Sequence, residues 1–352
     1  MTPAPPSRTA RLQAALAQLG LDGYLSARSS DVTYLTGSCG FPAVVWVPVS
    51  GTCALAVPAA RLNGAVAPDA YRMLPRALGG SWAPLLSPLL PPDPSRLGTG
   101  ALPDDLRSLA DGFNAPDLLD RLRRRHGPDA AEREGLGRAR RIASASVRAA
   151  LDAVRPGVRE TDVALAAETS MRLARADPLH RVRLASGSRA SDPGAGPSAR
   201  VLREGDAGFV HLRPEWEGHR AVIARTFHVG TPSAEAQRLV DAMLRARDAA
   251  LAAMRPGRPG GDAFRAVTAV LEAAGLGGSC PHAVGRPLGG IGRPRLSPDE
   301  TEPLLPGDML VLDVGVYVAG MGGVRVADAV DVTAGTADLL AGGLPAWTVV
   351  GV

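Results

Sequence analysis

Six histidines, three cysteines and 35 acidic residues are the side chains of this 352-residue chain that could ligate a metal or carry a proton. Three of the histidines, His211, His219 and His228, fall in one segment, 205–230, which reads GDAGFVHLRPEWEGHRAVIARTFHVG and also holds Arg225. His282 stands two residues after Cys280 in CPHAVG. A later segment, 306–333, PGDMLVLDVGVYVAGMGGVRVADAVDVT, supplies Asp313, Arg325 and Asp328. An imidazole beside a carboxylate can hold a divalent ion or act as a general acid/base. An arginine can hold a substrate carboxylate through paired hydrogen bonds, and Arg325 could equally form a structural ion pair with Asp328 or another carboxylate. Cys280 could be a thiol ligand or nucleophile, though a small buried residue is the expectation. His126 and His180 lie outside both segments, and His228, beside Phe227 on a strand, is expected to face outward.

The elements that must position these groups follow from hydrophobic period and breakers. Residues 8 to about 125 alternate helical and strand patterns: Arg11 to Leu19 is amphipathic and ends at Gly20, while Gly23 to Leu25 and Val44 to Val47 read as strands. Val44 to Val57 is the most apolar stretch, but Pro48-Val49-Ser50-Gly51 interrupts it, which predicts two short strands around a turn and no membrane helix. His126-Gly127-Pro128-Asp129 breaks two helical runs and marks a boundary. Beyond it, the nine residues Ala149 to Gly157, AALDAVRPG, return as Ala249 to Gly257, AALAAMRPG. Each run is a helix stopped by Pro-Gly, with Asp162 or Asp262 five residues further on to cap the next helix. Two copies one hundred residues apart predict a pseudo-twofold domain, each half a helix pair on a sheet. Phe209 to Leu212 and Ala221 to Phe227 should alternate inward and outward around a polar turn at Arg213 to Gly218, putting His211 and Val222 on one cavity; Leu310 to Val314 and Val324 to Ala329 should bring Asp313 and Ala327 to it.

Composition narrows the class. The length suits two domains with their own cores, and an apolar fraction of 45% is that of a soluble globular protein. All 39 basic residues are arginine, and the net charge of +4 is spread out except at Arg121, Arg123, Arg124 and Arg125. That cluster reads as a solvated helix end complementing its dipole, so no nucleic-acid partner is expected. The cysteines Cys39, Cys53 and Cys280, odd in number and far apart, suggest reduced thiols in a cytoplasmic protein. The amino terminus lacks the uninterrupted apolar core of a signal peptide, and no membrane partner is expected.

The two segments resemble the metal-binding strands of the M24 superfamily of creatinase, prolidase, Xaa-Pro aminopeptidase and methionine aminopeptidase. Arg225, Thr226, Phe227, Val229 and Gly230 match the end of that family's first segment. Pro306, Gly307, Met309, Gly323, Val324 and Arg325 match its second. Asp31 to Gly37, DVTYLTG, resembles the segment that opens creatinase and prolidase amino-terminal domains. The resemblance implies an α/β (α+β) fold: a creatinase/prolidase-like domain over 1–126, then a pita-bread domain over 130–340, in a protein expected to be a homodimer. It also implies five metal ligands, two Asp, one His and two Glu, whose positions fall on His211, Val222, His282, Asp313 and Ala327. Creatinase works without metal through a His whose position falls on Gly194, and a further family His falls on Gly289.

Val222 and Ala327 stand where bridging carboxylates would neutralise two close dications, so a dinuclear metal centre is not expected. Three functions stay open. His211, His282 and Asp313 could hold one divalent metal in a hydrolase or lyase. Without metal, His282 or His211 could serve as general acid/base, oriented by Asp313, for cleavage of a C–N bond in a small amino-acid derivative, with Arg325, Arg225 and His219 contacting substrate. The third is a non-catalytic pita-bread protein that binds a small amino-acid-like or peptide ligand, or a protein.

Overall fold

The structure, a computed structural model, describes residues 7–37, 40–64, 71–109, 118–178, 181–288, 292–340 and 342–351. Cys39, His180 and Gly289 lie outside them. The chain divides into two compact units, Met1–His126 and Gly127–Val352.

In the first unit, α1 (Arg8–Leu19) begins where Ser7 accepts a hydrogen bond from the Ala10 amide and ends at Gly20, whose φ of 68° closes the helix. Leu12 and Leu16, one turn apart, are fully buried, each contributing roughly 1.5–3 kcal/mol. The helix packs on a five-stranded sheet of order β4-β3-β2-β1-β5, built from β1 (Gly23–Ser26), β2 (Val44–Pro48), β3 (Cys53–Pro58), β4 (Tyr71–Arg76) and β5 (Leu97–Thr99). Strands β2 and β3 pair antiparallel on either side of the Pro48 to Gly51 interruption. Helices α2 (Ser29–Thr36), α3 (Ala83–Leu86), α4 (Asp104–Arg107) and α5 (Leu118–His126) complete the unit. Asp31, fully buried in α2, gathers Tyr24, Ser26 and Arg28, and Arg28 also reaches Asp120, so the DVTYLTG segment is held by a buried charge network.

The second unit begins with α6 (Ala130–Ala153) and α7 (Glu160–Leu173), followed by β6 (Arg181–Ser186) and β7 (Ala207–Arg213). A small hairpin, β8 (Glu215–Trp216) and β9 (His219–Arg220), leads to β10 (Ile223–Val229), and α8 (Ala234–Ala253) and α9 (Gly261–Ala273) follow. The rest of the sheet comes from β11 (Gly285–Pro287), β12 (Met309–Val318), β13 (Gly322–Val332), β14 (Ala337–Leu339) and β15 (Trp347–Val350). Eight strands form one sheet, with the path β11-β12-β13-β10-β7-β6 and with β14 on β13 and β15 on β10. Strand β15, parallel to β10, lies past residue 340, where the sequence reading ended the domain.

Alternation along the strands sorts the side chains. One face packs on helices: Val210, Leu212, Ile223, Phe227 and Val229 join one apolar core with α6 and α7, and Leu310, Leu312, Val314, Val316, Val324 and Val326 join a second with α8 and α9. The intervening residues point to the other face and form the site. The repeated AALxAxRPG runs sit at equivalent places: α6 ends at Ala153 and α8 at Ala253. The Gly157 amide then donates to the Leu202 carbonyl at 2.9 Å, and the Gly257 amide to that of Leu304 at 2.8 Å. Asp162 accepts from the Arg159 amide at 3.3 Å, as a cap should. Asp262 instead forms ion pairs with Arg258 and Arg265, because two guanidiniums outcompete a backbone amide for its oxygens.

Gly157 and Gly257 have φ of 85° and 81° with open space where a Cβ would stand, so alanine is disfavoured there by backbone conformation alone. Gly157→Ala and Gly257→Ala should each cost about 1–2 kcal/mol, and by similar amounts, as read from urea denaturation midpoints. A large difference between them would show that the two halves bear these turns differently.

Candidate functional site

The site is a row of side chains across the sheet at one level. Arg183 on β6 pairs with His211 on β7, His211 with Ala224 on β10, Ala224 with Ala327 on β13, and Ala327 with Asp313 on β12. Directly opposed residues of antiparallel strands share a face, so all five point away from the helices. Val222, just before β10, joins Ala224, Val311, Ala327 and Ala329 in an apolar cluster on this face. Strand pairing thus brings His211, Val222, Asp313 and Ala327 together as alternation required.

Asp313 dominates the electrostatics. Its Oδ1 accepts from Arg325 Nε at 2.8 Å and its Oδ2 from Nη2 at 2.7 Å, a bidentate pair with both residues buried. Burial would raise the carboxyl pKa, but the charge and hydrogen bonds of Arg325 outweigh it and hold it below the usual range. Thr226 braces the arginine's backbone, donating to the Arg325 carbonyl at 3.0 Å and accepting from its amide at 2.9 Å. The guanidinium also reaches the Pro193 carbonyl at 3.2 Å. Gly315 lies opposite Arg325 in the ladder, and a Cβ on it would collide with the Tyr317 ring and Oη, so a side chain there would displace the tyrosine.

His211 is 1% exposed, and neither ring nitrogen has a hydrogen-bond partner among the described residues. Its Nε2 lies 3.8 Å from Asp313 Oδ2, beyond hydrogen-bond distance. Burial, then the charge of Arg325, holds its pKa well below the usual imidazole value, so the ring is neutral. His282, on the loop before β11, places Nε2 3.3 Å from Tyr317 Oη and Nδ1 3.0 Å from the Ala283 carbonyl. Burial lowers its pKa too. Cys280 is half-buried, its Sγ 3.9 Å from the His282 carbonyl, and burial pushes the thiol pKa up, which suits packing better than nucleophilic attack.

The remaining expected residues lie elsewhere. Arg225 falls on the helix-packed face, because it alternates with Ala224 and Thr226. Fully buried, it pairs with Asp328 at 2.7 Å and donates to the Ala224 and Ala327 carbonyls, so it is not open to substrate. Asp328, considered a partner for Arg325, therefore serves Arg225. His219 packs against α6, where a Cβ on Gly135 would collide with its ring. His228, expected outward, is fully buried: β15 covers that end of β10, its Nδ1 lies 2.9 Å from the Gly230 carbonyl, and its ring centroid is 6.0 Å from that of Trp347. Gly194 accepts no catalytic role by itself, having no side chain; its amide donates to Asp192 at 2.7 Å.

Sequence reasoning missed Arg286. It sits opposite Val311 in the β11–β12 ladder, on the same face as Asp313. Together with Ala283, Gly285, Arg295, Val311 and Asp313 it lines a cavity of about 160 Å³. Three strand residues are too few for alternation to reveal a face, and Pro287 obscures the strand. Among the described residues no three His, Cys, Asp or Glu side chains stand close enough to hold a metal ion. With Val222 and Ala327 apolar and both Asp313 oxygens bound to Arg325, the donors present do not fit a dinuclear centre.

Comparison with known proteins gives the same architecture. The description "Metallopeptidase family M24" matches residues 134–334, and "Creatinase/Prolidase N-terminal domain" matches residues 8–100. A Xaa-Pro dipeptidase of Pyrococcus furiosus is 28% identical over 208 residues, 57% of this chain and 59% of that protein. The match therefore spans less than two thirds of that relative's length. A probable dipeptidase, PepE, of Mycobacterium bovis is 29% identical over 356 residues, covering 93% of this chain and 91% of that one. Among solved structures, dipeptidase PepE from Mycobacterium ulcerans superposes with a TM-score of 0.83 at 27% identity, covering 98% and 97% of the two chains. The prolidase from Pyrococcus furiosus superposes with a TM-score of 0.81 at 22% identity, covering 94% and 99%.

Two outcomes follow from the site geometry. Asp313→Asn or Arg325→Met, each stranding a buried charge, should lower stability by about 3–5 kcal/mol, and the double variant should recover much of that loss in denaturant titrations. A histidine whose folded pKa is depressed stabilises fully above its ordinary value of 6.5 and loses that contribution as pH falls below it. The slope of unfolding free energy between pH 6.5 and the carboxylate range should be up to about 1.4 kcal/mol per pH unit for each such histidine, and His211→Gln should remove one share of it. An unchanged slope would place the protonation elsewhere.

Proposed function

This chain belongs to metallopeptidase family M24, and within that family we propose that it binds a small amino-acid-like or peptide ligand at the cavity beside Asp313, on the sheet face that also bears His211, without a dinuclear metal centre, and so does not act as a Xaa-Pro metallopeptidase. The observation that carries the reading is the Asp313–Arg325 pair: the carboxylate in the row is spoken for by a buried guanidinium, and the side chains of Val222 and Ala327 offer no oxygens beside it. A dication could take the Asp313 oxygens only by displacing Arg325, which would leave a buried guanidinium uncompensated beside it. The relatives' printed names, Xaa-Pro dipeptidase and prolidase, support a pocket shaped for short, proline-containing or similar molecules. The proposed form is a homodimer in the cytoplasm; among the described residues no helix is long and apolar enough to cross a membrane.

A catalytic version of the same reading rests on His282. Its neutral imidazole, 3.3 Å from Tyr317 Oη, could move a proton in metal-free cleavage of a C–N bond. Asp313 would not orient it, being bound to Arg325.

Elemental mass spectrometry of the purified protein, after incubation with Mn, Co, Zn or Fe, should find no stoichiometric ion, and a Gly-Pro hydrolysis assay should show no turnover that depends on added metal. A bound ion that disappears in the His211→Ala/His282→Ala double variant would overturn this reading in favour of a single-metal hydrolase. Chelator-resistant release of product from an amidino, lactam or N-acyl amino acid, abolished by His282→Ala, would establish the catalytic version.

A further inference from the structure

Helices α8 and α9 cover the face of the sheet opposite Asp313, and where one gives way to the other a cavity of about 560 Å³ opens. Arg255, Arg258, Arg265 and Asp262 line it, together with Ala252 and Ala253. Asp262 holds two of the arginines side by side: its Oδ2 lies 2.6 Å from Arg258 Nη2, and its Oδ1 pairs with Arg265. A guanidinium has five N–H donors, so both keep donors for another partner. Arg255 has no acidic partner among the described residues; its Nε and Nη1 meet the Ala252 and Gly335 carbonyls at 3.2 and 3.5 Å. Three guanidiniums against one carboxylate leave the cavity with a charge of +2.

The first half of the domain shows that the fold does not need this cluster. The repeat puts Asp152, Arg155, Val158, Asp162 and Leu165 at the places of Ala252, Arg255, Arg258, Asp262 and Arg265. There one arginine stands among two carboxylates, yet the turn between the helices closes with the same backbone hydrogen bond. Like charges gathered around one cavity repel, and only an anion between them reverses the sign of that interaction.

We propose that Arg255, Arg258 and Arg265 form a binding site for a soluble phosphate monoester, separate from the cavity beside Asp313 and independent of what happens there. A phosphate monoester carries about −1.5 to −2 at pH 7, which balances the charge of the cavity, whereas a single carboxylate would leave half of it. Guanidiniums also match phosphate oxygens with paired N–H donors. The volume lies within the range of small-molecule sites, roughly 300–1,000 Å³. Arg255 lines an adjoining cavity of about 250 Å³ as well, with Leu251, Met254 and Ala337, and this gives the organic part of the ester an apolar place.

The test titrates the full chain calorimetrically with methyl phosphate and with acetate at one ionic strength. Methyl phosphate should saturate a single site, and acetate should bind at least about tenfold more weakly. The second phosphate pKa is about 6, so affinity should rise as pH goes from 5.5 to 7.5 and the dianion replaces the monoanion. The Arg258 and Arg265 side chains are 65% and 57% exposed, so Arg258→Gln and Arg265→Gln should leave the thermal melt in place. Each should weaken methyl phosphate about tenfold, the loss expected for a charge-assisted hydrogen bond. Arg155→Gln, the counterpart of Arg255 in the first half, should leave affinity unchanged. No saturable binding of methyl phosphate, equal binding of acetate, or affinity unmoved in the Arg258→Gln/Arg265→Gln double variant would overturn the site. Binding to vesicles that carry phosphatidic acid, with none to methyl phosphate, would overturn the assignment to a soluble ligand.

Discussion

The bidentate bond between Arg325 and Asp313 sets the terms for everything around it. Both groups are buried, so neither can lose the other without a large penalty, and together they are electrically neutral. The pair keeps Asp313 ionised and occupies both of its oxygens, and the charge of Arg325 helps keep His211 neutral. Next to it, Gly315 leaves the space that the Tyr317 ring fills, and Tyr317 in turn sits beside His282 and, edge to face, beside Phe209.

The surrounding fold is conservative in construction. Two helix pairs cover one face of an eight-stranded sheet, and the two halves repeat a helix, a Pro-Gly stop and a strand-like bridge. Such a scaffold depends on the apolar alternation of its strands, which is intact here, and hardly at all on what stands on the uncovered face. Val222 and Ala327 fit such a scaffold readily, since both join an apolar cluster on that face.

Much of this was legible in the sequence. The repeated AALxAxRPG run predicted paired helices, and period-two alternation placed His211, Asp313 and Ala327 on one face. Arg225 shows the limit of motif matching: it was grouped with Arg325, yet a difference of one in strand parity puts it among the helices. His228 failed for another reason, since its cover comes from β15, a four-residue strand more than a hundred residues later that has no local signature. Arg286 was silent because a three-residue strand interrupted by proline displays no period. What sequence reads poorly is therefore long-range pairing of short strands, and here that pairing completes the site.

Strand β13 contributes one member to each of two arginine–aspartate pairs of opposite sense. Arg325 points to the open face and finds Asp313 on β12, while Asp328, three residues along the same strand, points to the helices and finds Arg225 on β10. Sliding β13 by one residue would exchange its faces and strand four buried charges at once; sliding it by two would keep the faces but misalign both pairs. The two pairs thus act as a two-pin lock on strand register. Hydrophobic alternation alone tolerates an even-numbered slip, and these charges do not, so the central strands have a single alignment in which they can close.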